Sequence, residues 1–306
     1  MTTRFTGILS PVVTPFNADG SPDPVRFEAH CRWLLSNNVG LAIFGTNSEA
    51  NSLSVDERMM LLEHLVAKGL DAKRMMPGTG CSSISDSIKL TAHAVKLGCA
   101  GTLMLPPFYY KGVSDEGLYR NYAQIIDKVA DARLQIYLYH IPPVSQVPVT
   151  LALIERLLKA YPANIAGIKD SSGDWNNTKA VLDAFAKQNF HVFAGSETFL
   201  LANLRHGGAG CISATANVNP APIHKLFAEW KNADADAQQA ALDVIRMDFQ
   251  KFPMIPALKA AVAHWQGDAD WARVRPPLVE LSTQQVSEMT AALKDHGFDM
   301  PGLGKR

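Results

Sequence analysis

Eight short apolar runs recur along the chain: Ile8–Val13, Leu41–Phe44, Arg74–Gly78, Gly101–Leu105, Gln135–Tyr139, Ile165–Ile168, His191–Ala194 and Gly210–Ser213. Each is followed by a cluster of Gly, Pro, Ser or Asn, and then by apolar residues at helical spacing. Strands that alternate with helices pair in parallel through crossover units. Buried parallel strands read as continuous apolar runs, as Leu103-Met104-Leu105 does. Local signals place the helices. Ser54-Val55-Asp56-Glu57 is a capping box ahead of Leu61 and Leu62, and Ser282 with Gln285 is another. Gly98 stops a helix that runs from Ser82 to Leu97. Thr150 caps a helix with Leu153, Ile154, Leu157 and Leu158 on one face, and Pro162 lies just beyond it.

Eight strand–helix units over roughly residues 7 to 230 have the size of a (β/α)8 TIM barrel. The expected fold class is therefore α/β. Residues 1–232 would form the barrel, and residues 233–306 a C-terminal helical extension. Helices are expected there at Asp243–Phe252, Ala257–Trp265 and Gln284–His296, with Arg273-Val274-Arg275-Pro276-Pro277 as a rigid connection. A doubly wound open sheet also alternates strands and helices; the count of eight favours the barrel.

Composition narrows the partners. Lys plus Arg and Asp plus Glu are both 29, so no overall basic field draws the chain to nucleic acid or an anionic membrane. No run of about 18 apolar residues occurs, so no membrane span is expected. Met1 to Gly7 is short and polar, unlike a signal peptide. Cys31, Cys81, Cys99 and Cys211 are far apart, which fits four reduced thiols and a cytoplasmic setting. The nine histidines contain no H-x-x-x-H pair, and no spacing asks for a metal. Gly78-Thr79-Gly80 and Gly207-Gly208-Ala209-Gly210 complete neither a dinucleotide nor a P-loop pattern.

In a barrel the chemistry gathers at the C-terminal ends of the strands. Lys169 ends the Ile165–Ile168 run. A partly desolvated lysine has a lowered pKa, and its neutral amine can attack a carbonyl to form an imine. By position alone a solvated strand-end lysine is the commoner case. Tyr139 ends another run, and its phenol is placed to move protons; most tyrosines merely pack. Gly45-Thr46-Asn47-Ser48-Glu49 offers side chains and free N–H groups that suit a small carboxylate, or simply a polar loop that caps the next helix. Phe108-Tyr109-Tyr110-Lys111 lines a pocket, a subunit contact or its own loop.

Taken in order, these motifs resemble the dihydrodipicolinate synthase / N-acetylneuraminate lyase family of class I pyruvate-type aldolases. The resemblance runs from Gly7 to about Ser282. It is carried by Gly45-Thr46-x-x-Glu49, Leu53-Ser54-x-x-Glu57-Arg58, Tyr109-Tyr110 and Tyr139-x-x-Pro142, then by Gly167-Ile168-Lys169-Asp170-Ser171-Ser172-Gly173, Gly195 and Ile212-Ser213-x-Thr215-Ala216-Asn217. It implies a Schiff-base lysine at Lys169 and a proton-relaying tyrosine at Tyr139. Thr46 would link that tyrosine to a second one, Tyr110, which in tetrameric members reaches into the neighbouring subunit. Asn47 stands where the family usually has Thr, at a carboxylate position. Gly195 and Ser213 fall among the substrate-binding residues. The resemblance further implies no cofactor beyond the covalent lysine imine, a 2-oxo acid substrate, and a homo-oligomer, either tetramer or dimer.

Substrate choice follows from departures. Val144 stands where dihydrodipicolinate synthases carry an arginine for a substrate carboxylate. Valine cannot make that pair, and the loss costs roughly 2–4 kcal/mol. Gly195-Ser196-Glu197-Thr198 also differs from the acidic pair that grips a sialic acid polyol. The expected reaction is cleavage of a 2-keto-3-deoxy sugar acid or 4-hydroxy-2-oxo acid to pyruvate plus an aldehyde. The rivals are a dehydratase or deaminase using the same imine, a dihydrodipicolinate synthase, and a non-catalytic 2-oxo acid sensor.

Overall fold

The computed structural model describes residues 4–304. The first three residues of the polar N-terminal segment, and the last two of the expected C-terminal extension, lie outside it. In chain order the elements are β1 (Gly7–Ser10), α1 (Pro24–Ser36), β2 (Gly40–Leu41), α2 (Val55–Ala67), α3 (Ile84–Lys96), β3 (Thr102–Met104), α4 (Asp115–Val129), β4 (Ile136–His140) and α5 (Pro142–Ser145). There follow α6 (Leu151–Ala160), β5 (Ile165–Asp170), α7 (Trp175–Phe185), β6 (His191–Ala194), α8 (Leu200–Arg205), β7 (Gly210–Ile212) and α9 (Pro220–Glu229), then α10 (Ala235–Gln250), α11 (Met254–Gln266) and α12 (Thr283–Asp295). This is an α/β fold. No helix among the described residues is long and apolar enough to cross a membrane.

Seven strands form among the described residues where eight were expected. The missing one is the Arg74–Gly78 run. It makes only isolated bridging contacts, among them Gly78 to Leu103 in parallel, with Thr79 N–H on Leu103 O at 3.0 Å and Leu103 N–H on Pro77 O at 2.9 Å. The physical reason is Pro77. It has no N–H to give a ladder, so the run lies beside β3 as an extended segment without continuous pairing.

The chain divides into two compact units. One comprises Asp71–Ile212 with the segment that ends at Gly7; the other comprises Ile8–Leu70 and Ser213–Arg306. In the first, β3 pairs with β4, β4 with β5, β5 with β6 and β6 with β7, all in parallel. Alternate strand residues face opposite ways. Ile136, Leu138 and Ile168 meet Tyr122 and Ile125 of α4, Leu153 and Leu157 of α6, and Val181 and Leu182 of α7 in one apolar core. Each large side chain so buried contributes about 1.5–3 kcal/mol. Tyr137, Tyr139, Gly167 and Lys169 are left on the other face.

In the second unit β1 pairs with β2, Leu9 opposite Gly40 and Ser10 opposite Leu41. The expected caps are in place here and in the first unit. Ser54 with Glu57 and Ser282 with Gln285 form capping boxes, and Thr150 accepts the Leu153 N–H. Among the C-terminal helices, α10 starts eight residues earlier than the Asp243 expected from sequence (Asp243 against Ala235). Its first two turns are rich in alanine and mostly exposed, so they carry no large apolar residue before Leu242 to mark the helical period.

Candidate active site

In the first unit Tyr139 of β4 lies directly opposite Lys169 of β5, and Phe193 of β6 lies on the other side of Lys169. Both polar side chains are buried, Lys169 with 2% exposure. Lys169 Nζ donates to Tyr139 Oη at 3.1 Å and sits 4.3 Å from the centre of its ring. An amine and a phenol at this separation can exchange a proton directly.

Register explains why it is Tyr139 and not Tyr137. The two share a face, but Tyr137 lies one level nearer the N-terminal end of β4. Its Oη accepts the Phe5 N–H at 2.9 Å, and burial pushes its phenol up to about 12. Its ring lies over Gly167, its partner in the register. A Cβ at Gly167 would meet Tyr137 Cδ1 at 2.9 Å and His191 O at 2.1 Å, so only glycine fits beneath that ring.

The residues after Lys169 fix the strand end. Asp170 points to the helix side. It accepts from Ser172 N–H at 2.9 Å, Asn177 Nδ2 at 2.9 Å and Thr178 Oγ1 at 2.6 Å. Those donors belong to the loop and first turn of α7. The ladder continues past the strands, with Ser171 N–H on His140 O and Gly195 N–H on Asp170 O, each at 2.7 Å. Gly195, an expected substrate-binding residue, thus spends its amide on the residue after Lys169. A side chain at Gly195 would strike Ser171 Oγ at 2.0 Å and Asp170 O at 2.7 Å. His140 Nδ1 accepts the Val149 N–H at 2.9 Å, and burial lowers its pKa against the opposing pull of Asp170.

Tyr110 is 62% exposed and Tyr109 75%, their rings edge to face at 5.4 Å. Lys111 Nζ steadies this loop by donating to Phe108 O and to Ser145 O. Val144 is 60% exposed on the single turn α5.

In the second unit Thr46 and Asn47 open a 3-10 turn, Thr46–Ser48, preceded by Gly45. Four amides of this segment are taken up internally. Gly45 N–H binds Ser48 Oγ at 3.2 Å, Ser48 N–H binds Gly45 O at 3.1 Å, Glu49 N–H binds Thr46 O at 3.2 Å and Ala50 N–H binds Gly45 O at 3.3 Å. The nest of free N–H groups expected from sequence is therefore reduced, because the amides of Gly45, Ser48, Glu49 and Ala50 are already bonded within the segment. Ser213 is buried; its N–H binds Leu9 O at 3.3 Å and its Oγ receives Arg246 Nη1 at 3.4 Å.

The family model of the dihydrodipicolinate synthetase family matches residues 4–296. The chain belongs to this family. A DapA-like lyase of Chloroflexus aurantiacus, itself uncharacterized, is 35% identical over 94% of this chain and 95% of its own. The crystal structure of dihydrodipicolinate synthase from Agrobacterium tumefaciens superposes with a TM-score of 0.87 at 31% identity, covering 95% of this chain and 99% of that one. YagE, a prophage protein of the family from Escherichia coli in complex with pyruvate, superposes with a TM-score of 0.88 at 27% identity, covering 97% and 100%. This member of the dihydrodipicolinate synthetase family is accordingly an enzyme of the class I, Schiff-base lyase and aldolase type.

Several family motifs turn out to hold the second unit together. Asn217 reaches Pro11 O at 3.1 Å and Ala214 O at 2.9 Å, and accepts the Val13 N–H at 2.9 Å. Arg58 donates to Ala50 O. Glu57 receives Arg275 at 2.9 and 2.5 Å, which holds its carboxyl below the usual carboxylate range. Sequence reading missed Lys259. Its ammonium binds Glu49 at 2.7 Å with both side chains fully buried, and burial pulls its pKa down to about 8. The only signal was a single lysine amid the apolar residues of α11. A separate cavity of about 920 Å³ lies in the same unit, lined by Trp33, Leu242, Ile245, Phe298 and others. None of the expected site residues borders it.

Proposed function

We propose that this enzyme cleaves a 2-keto-3-deoxy sugar acid or a 4-hydroxy-2-oxo acid to pyruvate and an aldehyde through an imine on Lys169. The carrying observation is the buried 3.1 Å contact between Lys169 Nζ and Tyr139 Oη on paired strand ends. Lys169, as the free amine, attacks the C2 carbonyl, and loss of water leaves a protonated imine. That imine takes up the electron pair as the C3–C4 bond breaks. Tyr139 removes the C4 hydroxyl proton, which releases the aldehyde. The enamine is then protonated at C3 and hydrolysed to pyruvate, which frees Lys169. No cofactor enters this scheme.

The roles of the other residues follow the family resemblance. The turn with Thr46 and Asn47 holds the C1 carboxylate, with Gly195 and Ser213 among the substrate-binding residues. Tyr110, exposed in the single chain, acts from one subunit upon another in a cytoplasmic homo-oligomer. By the same resemblance the fold is a (β/α)8 barrel, in which the extended run Arg74–Gly78, third in chain order, stands for the strand that does not form a ladder.

A screen of 2-keto-3-deoxy acids and 4-hydroxy-2-oxo acids for pyruvate release tests the reaction. Loss of water or ammonia without a three-carbon product would replace it with a dehydratase or deaminase. A second reading, dihydrodipicolinate synthase, is favoured by the Agrobacterium relative. Turnover of pyruvate with aspartate semialdehyde, in spite of Val144, would establish that reading.

A further inference from the structure

The turn with Thr46 and Asn47 ends on Glu49, a non-glycine residue at φ 56° and ψ 34°. That left-handed conformation is disfavoured for a residue with a Cβ and needs a fixed support. Besides the backbone bonds from Glu49 N–H to Thr46 O at 3.2 Å and from Ser52 N–H to Glu49 O at 2.8 Å, the Glu49 carboxylate is held at both oxygens. One oxygen receives Lys259 Nζ at 2.7 Å, and the other receives the Arg275 N–H at 2.9 Å. Lys259 lies on α11 with its ammonium 4.4 Å from the Phe16 ring, and the Arg275 guanidinium is 4.7 Å from the same ring. Arg275 is itself tied to Gly20 O at 2.8 Å and Ser52 O at 2.6 Å. Two parts of the C-terminal third thus hold one fully buried side chain. Ion pairs in such sites are poor stabilisers compared with apolar packing, but they fix where an atom lies.

We propose that Lys259 and Glu49 are positioning residues for substrate binding. Their pair locks the left-handed backbone at Glu49 and so sets the direction of Thr46 and Asn47 toward the carboxylate of the 2-oxo acid. The proposal rests on the reading of that turn as the carboxylate site. Neither residue touches the reacting atoms.

The test uses pyruvate on the full-length protein. Borohydride-trapped imine at Lys169 is measured against pyruvate concentration, alongside thermal unfolding. The double variant E49Q/K259M removes both charges and leaves no buried ion alone. It is expected to fold and to reach the full extent of labelling, while the half-saturating pyruvate rises about tenfold or more. A folded double variant that saturates like the parent overturns the proposal, because the pair then serves only packing. If the double variant does not fold, Lys259→Arg, which keeps the buried charge paired but moves it, carries the test, with an expected rise of about threefold and the same overturning result. Thr46→Val and Asn47→Ala separate the two claims. If they raise the half-saturating pyruvate and E49Q/K259M does not, positioning alone fails. If they too leave it unchanged, the turn is not the carboxylate site and both claims fall.

Discussion

Thr178 donates its hydroxyl to Asp170 at 2.6 Å, and that bond ties the first turn of α7 to the residue next to Lys169. Asn177 and the Ser172 amide complete the set of donors around the same buried carboxylate. Asp170→Ala would leave three donors without their acceptor. We expect a loss of about 3 kcal/mol in unfolding free energy, read by urea denaturation. Thr178→Val removes one bond and should cost about 1.5–3 kcal/mol. Unchanged denaturation midpoints would show that the α7 tether is not structural.

The site and its scaffold were unequally legible in the sequence. Lys169 and Tyr139 could be read because each ends an apolar run, and strand register alone brings them together. The Arg74–Gly78 run looked like its neighbours, yet Pro77 denies it a ladder. Glu49 and Lys259 are separated by 210 positions, and no local period links residues that far apart. Arg275 was read as part of a rigid connection, whereas its side chain and amide reach Glu57 and Glu49. Short-range patterns report strands and caps; buried ion pairs come from tertiary packing alone.

Tyr139→Phe keeps the ring and removes the oxygen that receives Lys169. The variant should still form the pyruvate imine, while kcat for C–C cleavage drops about 10²–10³-fold. Steady-state kinetics on the identified substrate, beside trapping with pyruvate, separates the two effects. An unaffected kcat would remove Tyr139 from proton transfer.

His30 provides a pH prediction. It is buried between the rings of Trp33 and Trp271, at 5.5 and 5.2 Å, and burial pushes its pKa down to about 4 from 6.5. Between those values the unfolded chain binds a proton that the folded chain excludes. Stability is therefore full above 6.5 and declines as pH falls toward 4, by about 3 kcal/mol for this group. In His30→Leu the decline over that window should be shallower than in the parent. Equal slopes in urea titrations at several pH values would contradict the assignment.

Val144 is exposed, so Val144→Arg should change stability by less than about 0.5 kcal/mol. The added guanidinium suits an aldehyde that bears a carboxylate. We expect the ratio of kcat/KM for aspartate semialdehyde over an uncharged hydroxyaldehyde, in the synthetic direction with pyruvate, to rise about tenfold or more. A constant ratio would place Val144 outside the second-substrate site.

The central claim is the imine on Lys169, and borohydride reduction in the presence of pyruvate, followed by peptide mass mapping, tests it most directly. The account predicts one reduced pyruvyl adduct per chain, located on Lys169 and lost in Lys169→Arg. An adduct on another lysine, or none at saturating pyruvate, would contradict it.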